Sequence, residues 1–426
     1  MAVLLLIVLT VLTLTIIVKA IVDPIRIYQY PFCAAAVIVG FIVPPLFGLL
    51  RASYLPPWSI ERYLFTCILC MVMCWAGDAC AKRYSRPRAR LVVYDARRWL
   101  LGSTLLILVG GLAYLKSRLL FQAEFNMGTG LPTALSFFTV LLRYGFIMAL
   151  IYLLSTRNKY ALLLTGLSGL YYLDRIILYG RRQDAFEFIF VIIGAAWFIL
   201  GRRLPRLAVV AMIVVGAIGA TSVGAYRSVV VSTSGERDWS KLRDVNVLEG
   251  FRNSVAEGST ETLSGIYLMA AGAAENAFDF GAYHWNVLVF NYVPAQVFGA
   301  DFKESLYIPA PDLIAMAERR YGFAPSDGTT VTGMVDCYAS FWYAGCLKFF
   351  LIAYVMQWLY LHAVRGSLMA QSIYLFMMGM ALHAVTHHTQ FFFSPWLHLF
   401  FFWVPVMFVA ARSVEPVEVE AVSLAR

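Results

Sequence analysis

Apolar stretches of about 20 residues, the length a helix needs to cross a bilayer, recur along nearly the whole chain. Eleven such stretches run near 2–20, 30–50, 59–79, 98–116, 132–154, 160–179, 184–201, 205–224, 334–358, 368–387 and 394–412. Short polar links separate them everywhere except between the eighth and ninth. The pattern predicts an all-α polytopic membrane protein of about 11 transmembrane helices. Its parts are a membrane domain over 1–224, a large loop over 225–333, a second membrane portion over 334–412 and a polar tail over 413–426.

Basic residues orient the spans, because cytoplasmic links carry the Lys and Arg excess. Lys82, Arg83, Arg86, Arg88, Arg90, Arg97 and Arg98 crowd the link after the third span and mark it as cytoplasmic. Alternation then places Arg157, Lys159, Arg202, Arg203, Arg206, Arg365 and Arg412 inside, and Lys19 and Arg26 fall inside as well. The N-terminus and the large loop fall outside. Met1 to Val18 holds no basic residue, so the positive region of a cleavable signal is missing and the first span is expected to be retained.

The large loop is too long for a simple connection. Ser240 to Gly258 and Thr260 to Phe280 alternate polar and apolar residues with helical periodicity, which predicts two short amphipathic helices. Between Ala282 and Gly299 an apolar run is interrupted by Asn291 and Pro294. That run reads as an interfacial or re-entrant piece, because a full span would break at the proline.

Composition strengthens this picture. With 61% hydrophobic and 14% charged residues, the chain is no ordinary soluble domain. The formal charge of +9 is largely that of orienting loops, so no nucleic-acid partner is implied. Most of the seven cysteines sit in spans, where they read as small packing residues. No phosphate-binding glycine loop is present, which argues against an ATP-driven pump.

Two groups break the positive-inside pattern. Arg181-Arg182 and His387-His388 both fall on the outer face, and Arg143 and Arg175 lie inside neighbouring spans. An Arg at mid-membrane depth opposes insertion by roughly 2.5–3.5 kcal/mol, so such residues usually face a protein interior or wet cavity. The alternative is snorkelling to water. If the segment stayed helical, Arg175 and Arg182 would share nearly one face, about 10 Å apart. His383 and His387 are four apart, a metal-compatible spacing, but no nearby carboxylate completes a site, so cavity lining or general-base chemistry is the stronger reading. Carboxylates near this face are Asp174, which could neutralise Arg175 or a neighbouring helix, Asp184 and Glu187 at a helix start, and Asp327 and Asp336 around the ninth span.

Three stretches resemble the Wzy-type polymerases of lipid-linked oligosaccharide repeat units. Leu178-Tyr-Gly-Arg-Arg-Gln-Asp-Ala-Phe-Glu-Phe188 is similar to that family's small residue, Arg and apolar span at an external lip. Phe290-Asn-Tyr-Val-Pro-Ala-Gln-Val-Phe298 resembles its proline-containing loop segment. Thr329-Thr-Val-Thr-Gly-Met-Val-Asp-Cys-Tyr-Ala-Ser-Phe-Trp-Tyr-Ala-Gly345 resembles its Thr-Gly, Tyr, Gly approach to the next span. Pro294 lacks the basic residue that often follows it in the family.

The resemblance implies a GT-C-type membrane fold in the bacterial inner membrane. It further implies undecaprenyl-pyrophosphate-linked donor and acceptor, no nucleotide or obligatory metal cofactor, and a chain-length-regulating (Wzz-like) co-polymerase as partner. O-antigen, capsule or exopolysaccharide would be the product. Arg143, Arg175, Arg181, Arg182 and Arg227 are the candidate pyrophosphate ligands, since arginine binds phosphate bidentately and stays charged. His387, His388 and Asp336 are the candidate proton acceptors. Tyr283, Trp285 and Tyr292 are candidates to stack on sugars. An O-antigen ligase, a flippase or secondary transporter, and a membrane O-acyltransferase are the competing classes; a transporter would often show two related halves, and none is evident.

Overall fold

The computed structural model describes residues 1–85, 92–120, 131–230, 246–325 and 331–412. Among the described residues, nine helices are long and apolar enough to cross a membrane: Ala2–Val22, Tyr30–Leu49, Ser59–Tyr84, Ala96–Leu119, Leu131–Thr156, Arg182–Leu200, Gly333–Ala363, Leu368–Thr386 and Gln390–Ala410. The chain is therefore an all-α polytopic membrane protein. The sixth and eighth expected spans are also helices, Lys159–Ile177 and Arg206–Val230. Lys159, Asp174 and Arg175 dilute the first of these, and the apolar part of the second is the shorter Arg206–Gly219.

Leu368–Thr386 is the hub, and 83% of its apolar window is buried. It packs against Leu347–Ala363, Arg182–Leu200, Tyr30–Val37, Leu141–Thr156 and Gly333–Phe341. Lipid offers no hydrophobic drive between helices, so close packing of small residues must supply cohesion. Gly379 does this against Arg182–Leu200: a Cβ there would stand 2.7 Å from Glu187 Cγ. Gly333 does it against the end of the hub, where a Cβ would collide with the Ala384 carbonyl. By contrast, Ala2–Val22 buries only the stripe Leu6, Leu9, Thr13, Ile17 and Ala20. That three-and-four spacing makes one face of a peripheral helix.

Prolines shape two spans. Wide turns at Ile38–Ile42 and Leu399–Trp403 sit immediately before Pro44-Pro45 and Pro405, where the missing N–H and ring bulk disturb the regular ladder. The ninth span is broken without one. Its first part, Gly333–Phe341, ends at Trp342 with φ +54°, and a short 3-10 turn at Ala344–Cys346 leads into Leu347–Ala363. Carbonyls at the end of Gly333–Phe341 are satisfied by the loop: Asp279 N–H donates to Ala339 O and Phe280 N–H to Ser340 O. The break is thus a docking point for the large loop.

That loop contains Val247–Glu257, capped by Asn246, and Thr260–Ala274, capped by Ser259. The first matches an expected amphipathic helix, although residues 240–245 lie outside the described residues; the second stops at Ala274, short of the expected Phe280, and is buried on nearly every side from Ser264 to Gly272, so it is a core helix and not an amphipathic one. Ala282–Tyr292 is helical and stops before Pro294 as expected. A further helix, Leu313–Tyr321, packs on Thr260–Ala274 and is not expected from the pattern of apolar residues. The described residues form one two-stranded pair, Val93–Tyr94 antiparallel to Ala411–Arg412. It ties the link after Ser59–Tyr84 to the end of Gln390–Ala410, so these two basic segments share one end of the bundle, as the charge pattern requires.

Candidate functional site

Two polar clusters meet at the C-terminal end of Leu368–Thr386. The first joins three helices around Asp184 and Glu187, whose residues are 0% and 2% exposed. Arg143 donates Nη2–H to Asp184 Oδ1 and Nη1–H to Glu187 Oε2, each at 2.7 Å. Arg175 donates Nε–H to Asp184 Oδ2 at 2.7 Å, and the Tyr172 hydroxyl donates to Glu187 Oε1 at 2.7 Å. Both guanidinium groups also lie over the Tyr171 ring, at 5.8 and 5.4 Å. Two cations and two carboxylates balance, which is the condition for keeping charge inside a bundle.

Arg175 and Arg182 do not share a helix face. Lys159–Ile177 ends two residues after Arg175, the chain turns through Gly180 with φ +57°, and Arg182 begins a new helix. Such a turn favours glycine because a Cβ opposes positive φ. Arg182 instead pairs with Glu261 of the large loop at 3.1 Å and lies over Phe41. Arg181 is exposed and makes no side-chain ion pair among the described residues. Asp174 pairs with Arg118 of Ala96–Leu120 at 3.3 Å, so it neutralises a neighbouring helix and not Arg175. Arg227 lies in Arg206–Val230, and its side chain is outside the described residues, as is Asp327.

The second cluster surrounds Asp336, 3% exposed. Its Oδ2 accepts the Thr389 N–H at 2.9 Å and the Thr389 hydroxyl. Lys348 Nζ stands 3.4 Å from both carboxylate oxygens and donates to Ser340 Oγ at 2.7 Å. His284 Nε2 lies 3.6 Å from Oδ2 and 3.0 Å from Thr389 Oγ1. His388 Nδ1 lies 3.9 Å from Oδ1, with its ring 4.5 Å from that of Tyr283. Burial of His284 in the loop holds its imidazole below the ordinary range, against the upward pull of Asp336. The broken ninth span makes this assembly: Asp336 comes before the break, Lys348 after it, and His284 arrives on the docked loop.

His383 and His387 join the clusters. Their rings are 4.2 Å apart, and His383 also stacks on Phe391 at 3.9 Å. His383 lies within electrostatic reach of Arg143 and Arg181. His387 Nδ1 shares a hydrogen bond with Thr386 Oγ1 at 2.9 Å. Among the described residues no group of three or more His, Cys, Asp or Glu side chains is placed to hold a metal ion.

The structure thus brings Asp336 and His388 together; Arg143 and Arg181 come within electrostatic reach of His383, one turn earlier on the hub helix, while Arg175 joins Arg143 at Asp184 and Arg182 turns to Glu261. Lys348, His284 and Thr389 escaped sequence reasoning. A lone lysine within an apolar span was the available signal for Lys348. Trp285 and Tyr292 donate hydrogen bonds to Leu306 O and Ser394 O. Comparison with protein-family models, curated proteins and solved structures returns no match for this chain.

Proposed function

We propose that the chain is a membrane glycosyltransferase of the Wzy type, joining oligosaccharide repeat units carried on a polyprenyl pyrophosphate at the outer face of a bacterial inner membrane. The observation that carries this reading is the His388–Asp336 pair at the end of the hub helix, with Arg181 and Arg143 within electrostatic reach of His383 one turn before it. A proton acceptor and a cationic lip are what transfer from a pyrophosphate leaving group requires. Lys159–Ile177 and Arg206–Val230 are taken as the two further spans of a GT-C-type arrangement. Pairing of Asp174 with Arg118 and of Arg175 with Asp184 supports membrane depth for the first.

In this reaction an acceptor sugar hydroxyl attacks the donor's anomeric carbon. A C–O bond forms there as the bond to pyrophosphate breaks, and the lipid pyrophosphate leaves with the bonding pair. The hydroxyl proton passes to His388 Nε2, while Asp336 on the Nδ1 side orients the ring; base catalysis of this kind contributes about 10²–10⁴-fold. Charge developing on the pyrophosphate meets Arg181 and the terminal nitrogens of Arg175, which make no hydrogen bond to the described residues. Cations aimed at the leaving group stabilise the transition state above the ground state. Arg143, with both terminal nitrogens on carboxylates, positions Asp184 and through it Arg175.

Complementation of a deletion strain tests the reading. Arg181→Ala and His388→Ala should accumulate at normal protein level, while surface glycan stays at single repeat units. Normal chain lengths in both variants would overturn it.

A further inference from the structure

A second polar site lies at the opposite end of the bundle. Ser59–Tyr84 runs from Tyr63, buried beside Gly265 of the loop, to Lys82, nineteen positions on. That is roughly 28 Å of helix, close to the ~30 Å hydrocarbon thickness. Around Lys82 a cavity of about 50 Å³ is lined by Lys19, Arg26, Gln29, Asp78 and Lys82, with Ile16, Trp75, Pro31 and Phe32 as its apolar wall. One water needs about 10–15 Å³ on such a measure, so the space takes a phosphate group and little else.

Its floor is built. Lys82 Nζ donates to Asp78 Oδ2 at 2.7 Å and to Gln29 Oε1 at 2.9 Å, and Asp78 is 5% exposed. Its rim is open. Lys19 and Arg26 are exposed, Lys19 makes no side-chain hydrogen bond among the described residues, and Arg26 gives only Nε to Asp23 at 2.9 Å. Three cations, Lys19, Arg26 and Lys82, face two carboxylates, Asp23 and Asp78, and leave one positive charge. That charge matches a phosphodiester monoanion better than a pyrophosphate. Trp75, 55% exposed, continues the apolar wall from the basic rim towards mid-membrane.

We infer that the cavity between Ala2–Val22, the start of Tyr30–Leu49 and the end of Ser59–Tyr84 binds the phosphodiester of an anionic membrane lipid of the phosphatidylglycerol class, with an acyl chain against Ile16 and Trp75. The polar rim and apolar wall together select a lipid over a free phosphate. Basic pockets between helices at a cytoplasmic end are suited to such headgroups. The site is independent of the glycosyltransferase reading.

Native mass spectrometry of the detergent-purified full chain tests it, with phosphatidylglycerol, phosphatidylcholine and inorganic phosphate as separate probes. Phosphatidylglycerol should be retained in preference to phosphatidylcholine. The Lys19→Gln/Arg26→Gln double variant leaves the Lys82–Asp78 pair intact and should lose about fivefold in affinity per cation, about 25-fold together. Lys159→Gln, a basic residue outside the cavity, should bind as wild type. Equal retention of both lipids, or unchanged binding by the double variant, would overturn the site. Inorganic phosphate competing the lipid off at equal concentration would overturn its assignment to a lipid.

Discussion

Arg143 and Glu187 meet at 2.7 Å across two helices, and Gly379 of the hub helix packs directly on the Glu187 side chain. The pair cannot be separated without leaving a buried charge. Arg143→Met is expected to destabilise the protein by about 3–5 kcal/mol, whereas Arg143→Met/Glu187→Met should recover most of that loss, since removing both charges removes the desolvation cost as well. Thermal unfolding in detergent checks this. A double variant less stable than the single one would place the role of Arg143 elsewhere.

Arg181 contrasts with Arg143 although both are cations near the same helix end. Because Arg181 is exposed and pairs with no carboxylate among the described residues, Arg181→Ala should change stability by no more than about 0.5 kcal/mol. Polymer formation should fall roughly hundredfold, the order seen when one transition-state charge donor is removed. Tm and polymer yield, measured on the same preparations, separate the two effects.

His284 gives the docked loop a pH dependence. Burial lowers its folded pKa below the ordinary value, so as pH falls through about 6.5 the unfolded chain takes up a proton that the folded chain refuses. Stability is then complete above that value and declines below it, towards the folded pKa. Tm measured from pH 8 to pH 5 should fall on the acid side, and His284→Gln should flatten that fall. An unchanged slope in the variant would remove His284 as its source.

Arg182 contacts Glu261 at 3.1 Å, which requires the turn at Arg181 and the large loop to share one side. Cys80 is the one cysteine of the chain that is not buried, so Cys80→Ala provides a quiet background. Arg181→Cys and Asp301→Cys should both label from outside in intact spheroplasts, and Lys159→Cys should not. Labelling of only one of the first two would break the topology.

Span positions were legible in the sequence because apolar length and basic links are local signals. Helix ends such as Val22, Leu200 and Thr386 fall within a few residues of where hydropathy stops. The sixth span was harder, since Asp174 and Arg175 look prohibitive until Arg118 and Asp184 are seen beside them. Partner choice is a tertiary property. The sequence signal at Asp184 and Glu187 was that of a favourable helix start, yet their carboxylates organise arginines from two other helices. The same limit hid the Asp336 cluster: its partners Lys348, His284 and Thr389 come from three segments, and the break at Trp342 that arranges them has no proline to announce it.

The most direct test of the central claim uses purified protein in nanodiscs with lipid-pyrophosphate-linked oligosaccharide extracted from a native-host strain lacking this gene. The account predicts a ladder of products longer than one repeat unit without added nucleotide, one lipid pyrophosphate released per bond formed, and no ladder from His388→Ala. Unchanged single repeat units with the wild-type chain, or a full ladder with His388→Ala and Arg181→Ala alike, would contradict it.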